Sequence, residues 1–169
     1  MEKTLAVIKP DGVNRRKTEM IISRFLQEGF EIAGMKMIKV DKNFISKHYP
    51  ESMAKSIGEK AKSKGVKMED PLKYGQEIVE SLRDYLSEGP VIAIVLRGEN
   101  AVQRAREIVG FTDPTMAKKG TIRGDHGQDS FEKANAEKRS VRNLVHVSEN
   151  AGDAQREISL WFKKNEIFD

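Results

Sequence analysis

Val91-Ile92-Ala93-Ile94-Val95-Leu96 is an unbroken apolar run fenced by Gly89-Pro90 before it and Arg97-Gly98 after it. A run this short, rich in β-branched residues and closed by a helix breaker, reads as a strand. With no polar face, it must be covered on both sides, which makes it a central strand. The rest of the chain therefore has to supply partner strands and apolar helix faces for two layers. Leu5–Ile8 reads as a second buried strand ending in a turn at Pro10-Asp11-Gly12, and Glu31–Val40 as a third, with Ile32, Met35, Met37, Ile38 and Val40 in imperfect alternation. Leu144–Val147 is a fourth.

Helices fill the intervals. Thr18 or Glu19 opens one whose Ile21, Ile22, Phe25 and Leu26 share a face, stopped by Gly29. Asp41 caps a short helix carrying His48 and Tyr49. Pro71 begins a longer one with Ile78, Val79, Leu82, Tyr85 and Leu86 at helical spacing. Asn100 caps a helix with Ala101, Val102, Ala105, Ile108 and Val109 inward, closed by Gly110. Asn150 caps the last, whose apolar face is Ala154, Ile158, Trp161 and Phe162. The order strand, helix, strand, strand, helix, strand predicts an α+β fold, a ferredoxin-like βαββαβ sandwich with a four-stranded antiparallel sheet. Residues 1–169 read as one domain. Two stretches fit it poorly: the Lys-, Glu- and Ser-rich 51–73, expected as a partly helical surface insertion, and the long apolar-poor segment from Phe111 to Ser140, with a second insertion at 126–140.

Composition narrows the chemistry. The chain has no cysteine, which removes disulfides and thiolate metal sites and makes a cytoplasmic location the expectation. Its three histidines, His48, His126 and His146, are too dispersed in sequence for a zinc motif, so no protein-held metal is predicted. No stretch approaches the roughly 20 apolar residues of a spanning helix, and no membrane partner is expected. The net charge of +4, concentrated in Lys55–Lys67 and between Lys118 and Arg142, favours anionic partners weakly.

His146 lies where an apolar strand gives way to helix-starting residues, a place where rigid neighbours can hold a reactive side chain. Glu157, eleven positions on, falls on the following helix within reach of the imidazole. Histidines also pack and titrate without catalysing, so this pair alone leaves both roles open.

Taken together, Ala6-Val7-Ile8-Lys9-Pro10-Asp11-Gly12-Val13, Ser87-Glu88-Gly89-Pro90-Val91, Gly120-Thr121-Ile122-Arg123-Gly124-Asp125 and the stretch from Asn143 to Ile158 resemble the nucleoside diphosphate kinase family. The resemblance implies Mg²⁺-bound nucleoside di- and triphosphates as substrates, a phosphohistidine intermediate, broad base specificity and a homo-oligomer, hexamer or tetramer. It makes His146 the nucleophile, Glu157 its orienting partner, and Ser148 a neighbour of both. It turns Lys9, Arg106, Thr112 and Arg123 toward the phosphates, Lys9 and Asn143 toward the sugar, and sets Tyr49 close to the reacting phosphate. Cations and hydroxyls are the groups this reaction needs, because phosphoryl transfer leaves the protein mainly positioning and charge stabilisation.

The chain also departs from the family pattern. Val147 follows the histidine where Gly or Ala is usual, and a β-branched residue there is expected to crowd it. Glu149 and Asn150 replace Asp and Ser but preserve charge and cap. Ile78 stands where a phenylalanine meets the base, and the apolar residue on the base's other face falls near Ser140, which implies weaker stacking or stacking supplied by the insertions. A rival reading follows from Val147: a catalytically weakened nucleic-acid-binding or regulatory protein using the basic clusters. It is disfavoured because such a module has no need of the phosphate-facing groups.

Overall fold

The structure, a computed structural model, describes residues 1–63 and 65–168. Four strands, β1 (Glu2–Ile8), β2 (Glu31–Ile38), β3 (Val91–Gly98) and β4 (Val145–Val147), form one antiparallel sheet in the order β2-β3-β1-β4. This is the expected ferredoxin-like arrangement, with β1 and β3 in the middle. β1 runs against β3 from Glu2 opposite Gly98 to Ile8 opposite Ile92, and pairs on its other edge with β4 through Ala6–Val147, Val7–His146 and Ile8–Val145.

The all-apolar run of β3 is explained by burial on both faces. Val91, Ala93 and Val95, with Leu5 and Val7, face a layer containing Ile45, Val79, Tyr85, Leu86, Trp161 and Phe162. Their alternates, Ile92, Ile94 and Leu96 with Ala6 and Ile8, face Ile21, Phe25, Ala101, Ala105, Val109 and Ile122. The first layer is built by α3 (Lys42–His48), α4 (Met53–Ser63), α5 (Pro71–Ser87) and α9 (Ala151–Trp161), and the second by α2 (Thr18–Gln27) and α6 (Ala101–Val109). Among the described residues, no helix is long and apolar enough to cross a membrane.

Several local expectations need correcting. Pro10-Asp11-Gly12 is not a turn but the start of a short helix, α1 (Pro10–Asn14): proline suits the first helical position, where no amide hydrogen is needed. Asn100 precedes α6, but its side chain makes no capping bond and its backbone is left-handed, φ 48°. Asp41 and Asn150 cap as expected, accepting from Phe44 N at 2.7 Å and Asp153 N at 2.9 Å. The segment after Gly110 is less irregular than its composition suggests. It holds a 3-10 turn at Pro114–Met116, α7 (Ile122–His126) and α8 (Phe131–Ala136). Their capping side chains, Asp113, Thr121 and Ser130, replace the missing apolar contacts as organisers.

The 51–73 segment is more than surface. α4 lies so close to α5 that a Cβ on Gly58 would sit 1.7 Å from Pro71 O, and one on Gly75 1.9 Å from Ala54 O. Glycine is required at both crossings because backbone meets backbone there. Gly75→Ala should therefore force the helices apart, costing about 1–3 kcal/mol as overpacking does. A lowered melting temperature, with faster amide exchange confined to 53–63, is the expected result.

Candidate active site

The polar side chains converge beside β4. Lys9, at the junction of β1 and α1, is buried, and its Nζ donates to Asn143 Oδ1 at 2.8 Å. Asn143 Nδ2 in turn donates to Thr112 O at 2.9 Å. Arg123 lies buried in α7. Its guanidinium donates to Asn143 O at 3.1 Å, Val145 O at 2.6 Å and Gly110 O at 2.9 Å. Burial, reinforced by Arg123 and opposed by Asp11, lowers the Lys9 ammonium to about 7. Burial likewise lowers Arg123 to about 10. Arg106 is exposed on α6, close enough for its charge to act on Arg123.

Between Lys9 and the histidine the backbone makes a tight reversal. Val145 N donates to Asn143 O at 2.8 Å, closing a γ-turn whose central residue, Leu144, has φ 71°. This hand of γ-turn is rare, and a non-glycine residue in such a region costs about 1–3 kcal/mol. Leu144 O accepts from Lys9 N at 2.8 Å, and Gly12 leaves room for it, since a Cβ there would stand 2.7 Å from that oxygen.

His146 follows in β4 with its side chain 17% exposed. Its Nε2 lies 3.0 Å from Glu157 Oε2, which also accepts from Ser148 Oγ at 2.7 Å. Ser148 Oγ itself accepts from Leu5 N at 3.3 Å. Burial pushes the Glu157 carboxyl up, but the His146 charge and the hydrogen bonds from His146 and Ser148 outweigh it and hold it near 2. An ionised Glu157 fixes the imidazole proton on Nε2 and leaves the Nδ1 lone pair on the opposite side of the ring. The arrangement presents an oriented ring nitrogen on the strand whose first residue, Val145, is held by Arg123.

Sequence reading underrated His48 and Tyr85. His48 is fully buried with its ring edge-on to His146, centroids 4.8 Å apart, and its Nδ1 accepts from Trp161 Nε1 at 3.1 Å. Burial and the neighbouring His146 lower His48 to about 3, so it stays neutral. Two histidines far apart in sequence thus meet in space, with Glu157 between them. Tyr49 has its ring edge-on to His146, centroids 6.2 Å apart, and burial raises its hydroxyl. Tyr85, read as an apolar helix position, donates to Asp11 Oδ1 at 2.5 Å. Ile78 is half-buried on α5, and no described hydrogen bond or ring contact ties it to the cluster. The expected crowding by Val147 does not occur: it is an extended strand residue opposite Ala6 and packs into the second core layer, on the face away from His48 and Trp161.

The depressed Glu157 makes stability pH-dependent. Its folded value, near 2, lies below the ordinary 4.5, so ionised Glu157 contributes stability that is fully present above pH 4.5 and lost as pH falls toward 2. Glu157→Gln should lack this dependence. Denaturant titrations at steps across that window should show the unchanged protein converging on the variant at the acid end.

The family model described as nucleoside diphosphate kinase matches residues 2–65 and 71–167. The nucleoside diphosphate kinase of Pyrobaculum aerophilum is 39% identical, with 100% of this chain and 99% of that protein covered. The enzyme from Pyrococcus furiosus is 38% identical, covering 100% of this chain and 88% of its own. The crystal structure of the P. aerophilum NDP kinase matches with a TM-score of 0.93 over 99% of both chains. A transition state mimic of the Borrelia burgdorferi enzyme with bound vanadate and ADP, 34% identical, matches with a TM-score of 0.86 over 99% of this chain and 90% of that one. The chain belongs to the nucleoside diphosphate kinase family.

Proposed function

We propose that this protein moves the terminal phosphate of a nucleoside triphosphate to a nucleoside diphosphate through a covalent intermediate on His146. The observation that carries the reading is the Ser148–Glu157–His146 chain, which holds the proton on Nε2 and leaves Nδ1 to react. In the first half, the Nδ1 lone pair attacks the γ-phosphorus in line, the bond to the bridging oxygen breaks, and the diphosphate leaves. In the second, a terminal oxygen of another diphosphate attacks the same phosphorus and the P–N bond returns its electrons to Nδ1. Splitting the transfer lets one nucleotide depart before the next binds. Glu157 stabilises the imidazolium character that develops on phosphorylation, as an orienting carboxylate does.

In this reading Lys9, Arg106, Thr112 and Arg123 face the phosphates, Lys9 and Asn143 reach the sugar, Tyr49 borders the reacting phosphate, and Ile78 contacts the base. An apolar contact discriminates among bases weakly, by about 1–3 kcal/mol, which supports broad specificity. Mg²⁺ enters with the nucleotide, bound to its phosphate oxygens. His48, His146 and Glu157 are the one metal-like cluster among the described residues, and two imidazoles suit a hard, oxygen-seeking cation poorly. We read the whole chain as one catalytic unit that assembles into a closed homo-oligomer. The exposed Met35 and Met37 on edge strand β2 support this assembly. Light scattering at micromolar concentration should report a multiple of the chain mass; a monomer would overturn that part.

Incubation with Mg²⁺ and labelled ATP, without acceptor, should leave one acid-labile, alkali-stable phosphate per chain, and GDP should discharge it as GTP. His146→Ala should abolish both steps, because the covalent route is lost rather than one contact weakened. His126→Ala, on α7 and remote from the cluster, should still label. A chain that never labels would favour the nucleic-acid-binding or regulatory alternative.

Lys9 gives a second test. Its ammonium lies near 7 in the free protein, and phosphate oxygens beside it would raise that value toward the ordinary 10.5. Nucleotide binding at pH 8 should therefore take up protons, and affinity should fall as pH rises above 7. Calorimetry at pH 8 in two buffers of different ionisation enthalpy measures the uptake, and Lys9→Met should remove it.

A further inference from the structure

Tyr85 and Asp11 have no part in the scheme above, yet their polar atoms are aimed at the strained turn between Lys9 and His146. Tyr85 Oη donates to Asp11 Oδ1 at 2.5 Å and accepts from Asn143 N at 3.3 Å. Asp11 Oδ2 accepts from Leu144 N at 3.2 Å. The pair therefore holds two consecutive backbone amides of a turn whose centre has φ 71°. The Tyr85 ring also lies against two cations, with Lys9 Nζ 5.0 Å and the Arg142 guanidinium 4.2 Å from its centroid.

A left-handed conformation at a residue with a side chain persists only where its surroundings over-determine it. Here that turn sets two things at once: where the Asn143 side chain meets Lys9, and where β4 begins, one residue before His146. Relaxing Leu144 toward ordinary backbone angles would shift both.

We infer that Asp11 and Tyr85 are positioning residues for phosphoryl transfer, a clamp that holds the Asn143–Leu144 turn in its strained form so that Asn143 and the His146 imidazole keep their placement. The inference rests on His146 being the nucleophile. The clamp acts through the backbone and touches neither nucleotide nor phosphate. It explains why an aspartate sits in the first turn of α1 and why a tyrosine rather than a phenylalanine fills a fully buried position of α5.

Tyr85→Phe keeps the ring and its cation contacts and deletes only the hydroxyl. Asp11→Asn keeps the volume but turns one acceptor into a donor, which must then face either the Tyr85 hydroxyl or the Leu144 amide. Each variant should be compared with the unchanged protein in a single turnover at saturating Mg²⁺-ATP, following the phosphohistidine. Misplacement by about 1 Å slows a positioned reaction roughly a hundredfold. Each variant should therefore label to full stoichiometry but about ten- to a hundredfold more slowly, and the double variant should be no slower than the worse single one. Tyr74→Phe, on the same helix and outside the clamp, should label at the unchanged rate. A role confined to stability would lower melting temperatures and leave the saturated rate alone. Labelling by both folded variants within about threefold of the parent would overturn the inference while leaving the nucleophile intact. A parent that does not label would overturn both. Amide exchange in the unchanged protein gives a reading independent of any variant's folding: Leu144 should be protected like the central strands, and exchange at loop rates would overturn the clamp.

Discussion

The ladder between β1 and β4 is only three residue pairs long, and everything chemical in the molecule depends on it. It sets His146 opposite Val7 on a central strand that cannot shift, because Leu5, Ala6, Val7 and Ile8 are wholly buried. Both ends of the ladder continue as single hydrogen bonds, Lys9 N to Leu144 O on one side and Ser148 N to Leu5 O on the other. The residues beyond them, Lys9 and Ser148, are those that meet Asn143 and Glu157. A one-residue slip in register would turn the imidazole to the opposite face of the sheet, away from Glu157 and Trp161.

The electrostatics follow from that placement. Lys9 and Arg123 are both buried beside the Asn143 turn, and burial makes their charges expensive until an anion arrives. Glu157 is the counterweight on the far side of His146, kept ionised by the groups that donate to it. His48, edge-on to His146, remains neutral and adds no charge at that edge of the imidazole. Such preorganised fields are where enzymes of this kind obtain most of their rate.

How much of this was legible in the sequence varies with the physics involved. β3 announced itself because burial on both faces leaves no room for a polar residue, and α5 because 17 residues carry a strong period. The pair His146 and Glu157 was legible because one strand end and one helix separate them. Asp11 and Tyr85 were hidden because each has an ordinary local reading, a turn former and an apolar helix position, and only long-range contact reveals the bond between them. His48 was legible only as a residue of a short helix, and nothing local says that it packs against another histidine. Val147 was misjudged because crowding was argued from the residue type, without the strand pleat that points its side chain to the other layer. The helical character of 53–63 was blurred by Gly58, which serves the close approach of α4 to α5.

The hydrogen bond from Leu5 to Ser148 joins positions 143 residues apart. During synthesis the α4–α5 pair, local in sequence, can form early, whereas β1 must wait for nearly the whole chain before its second edge is covered. Until then it offers an apolar strand edge to any neighbour, the kind of surface on which nascent chains associate. The strand that carries His146 thus joins the sheet late, and its pairing covers that apolar edge of β1. A growing chain is either inert and in need of shelter, or finished and active, with little in between.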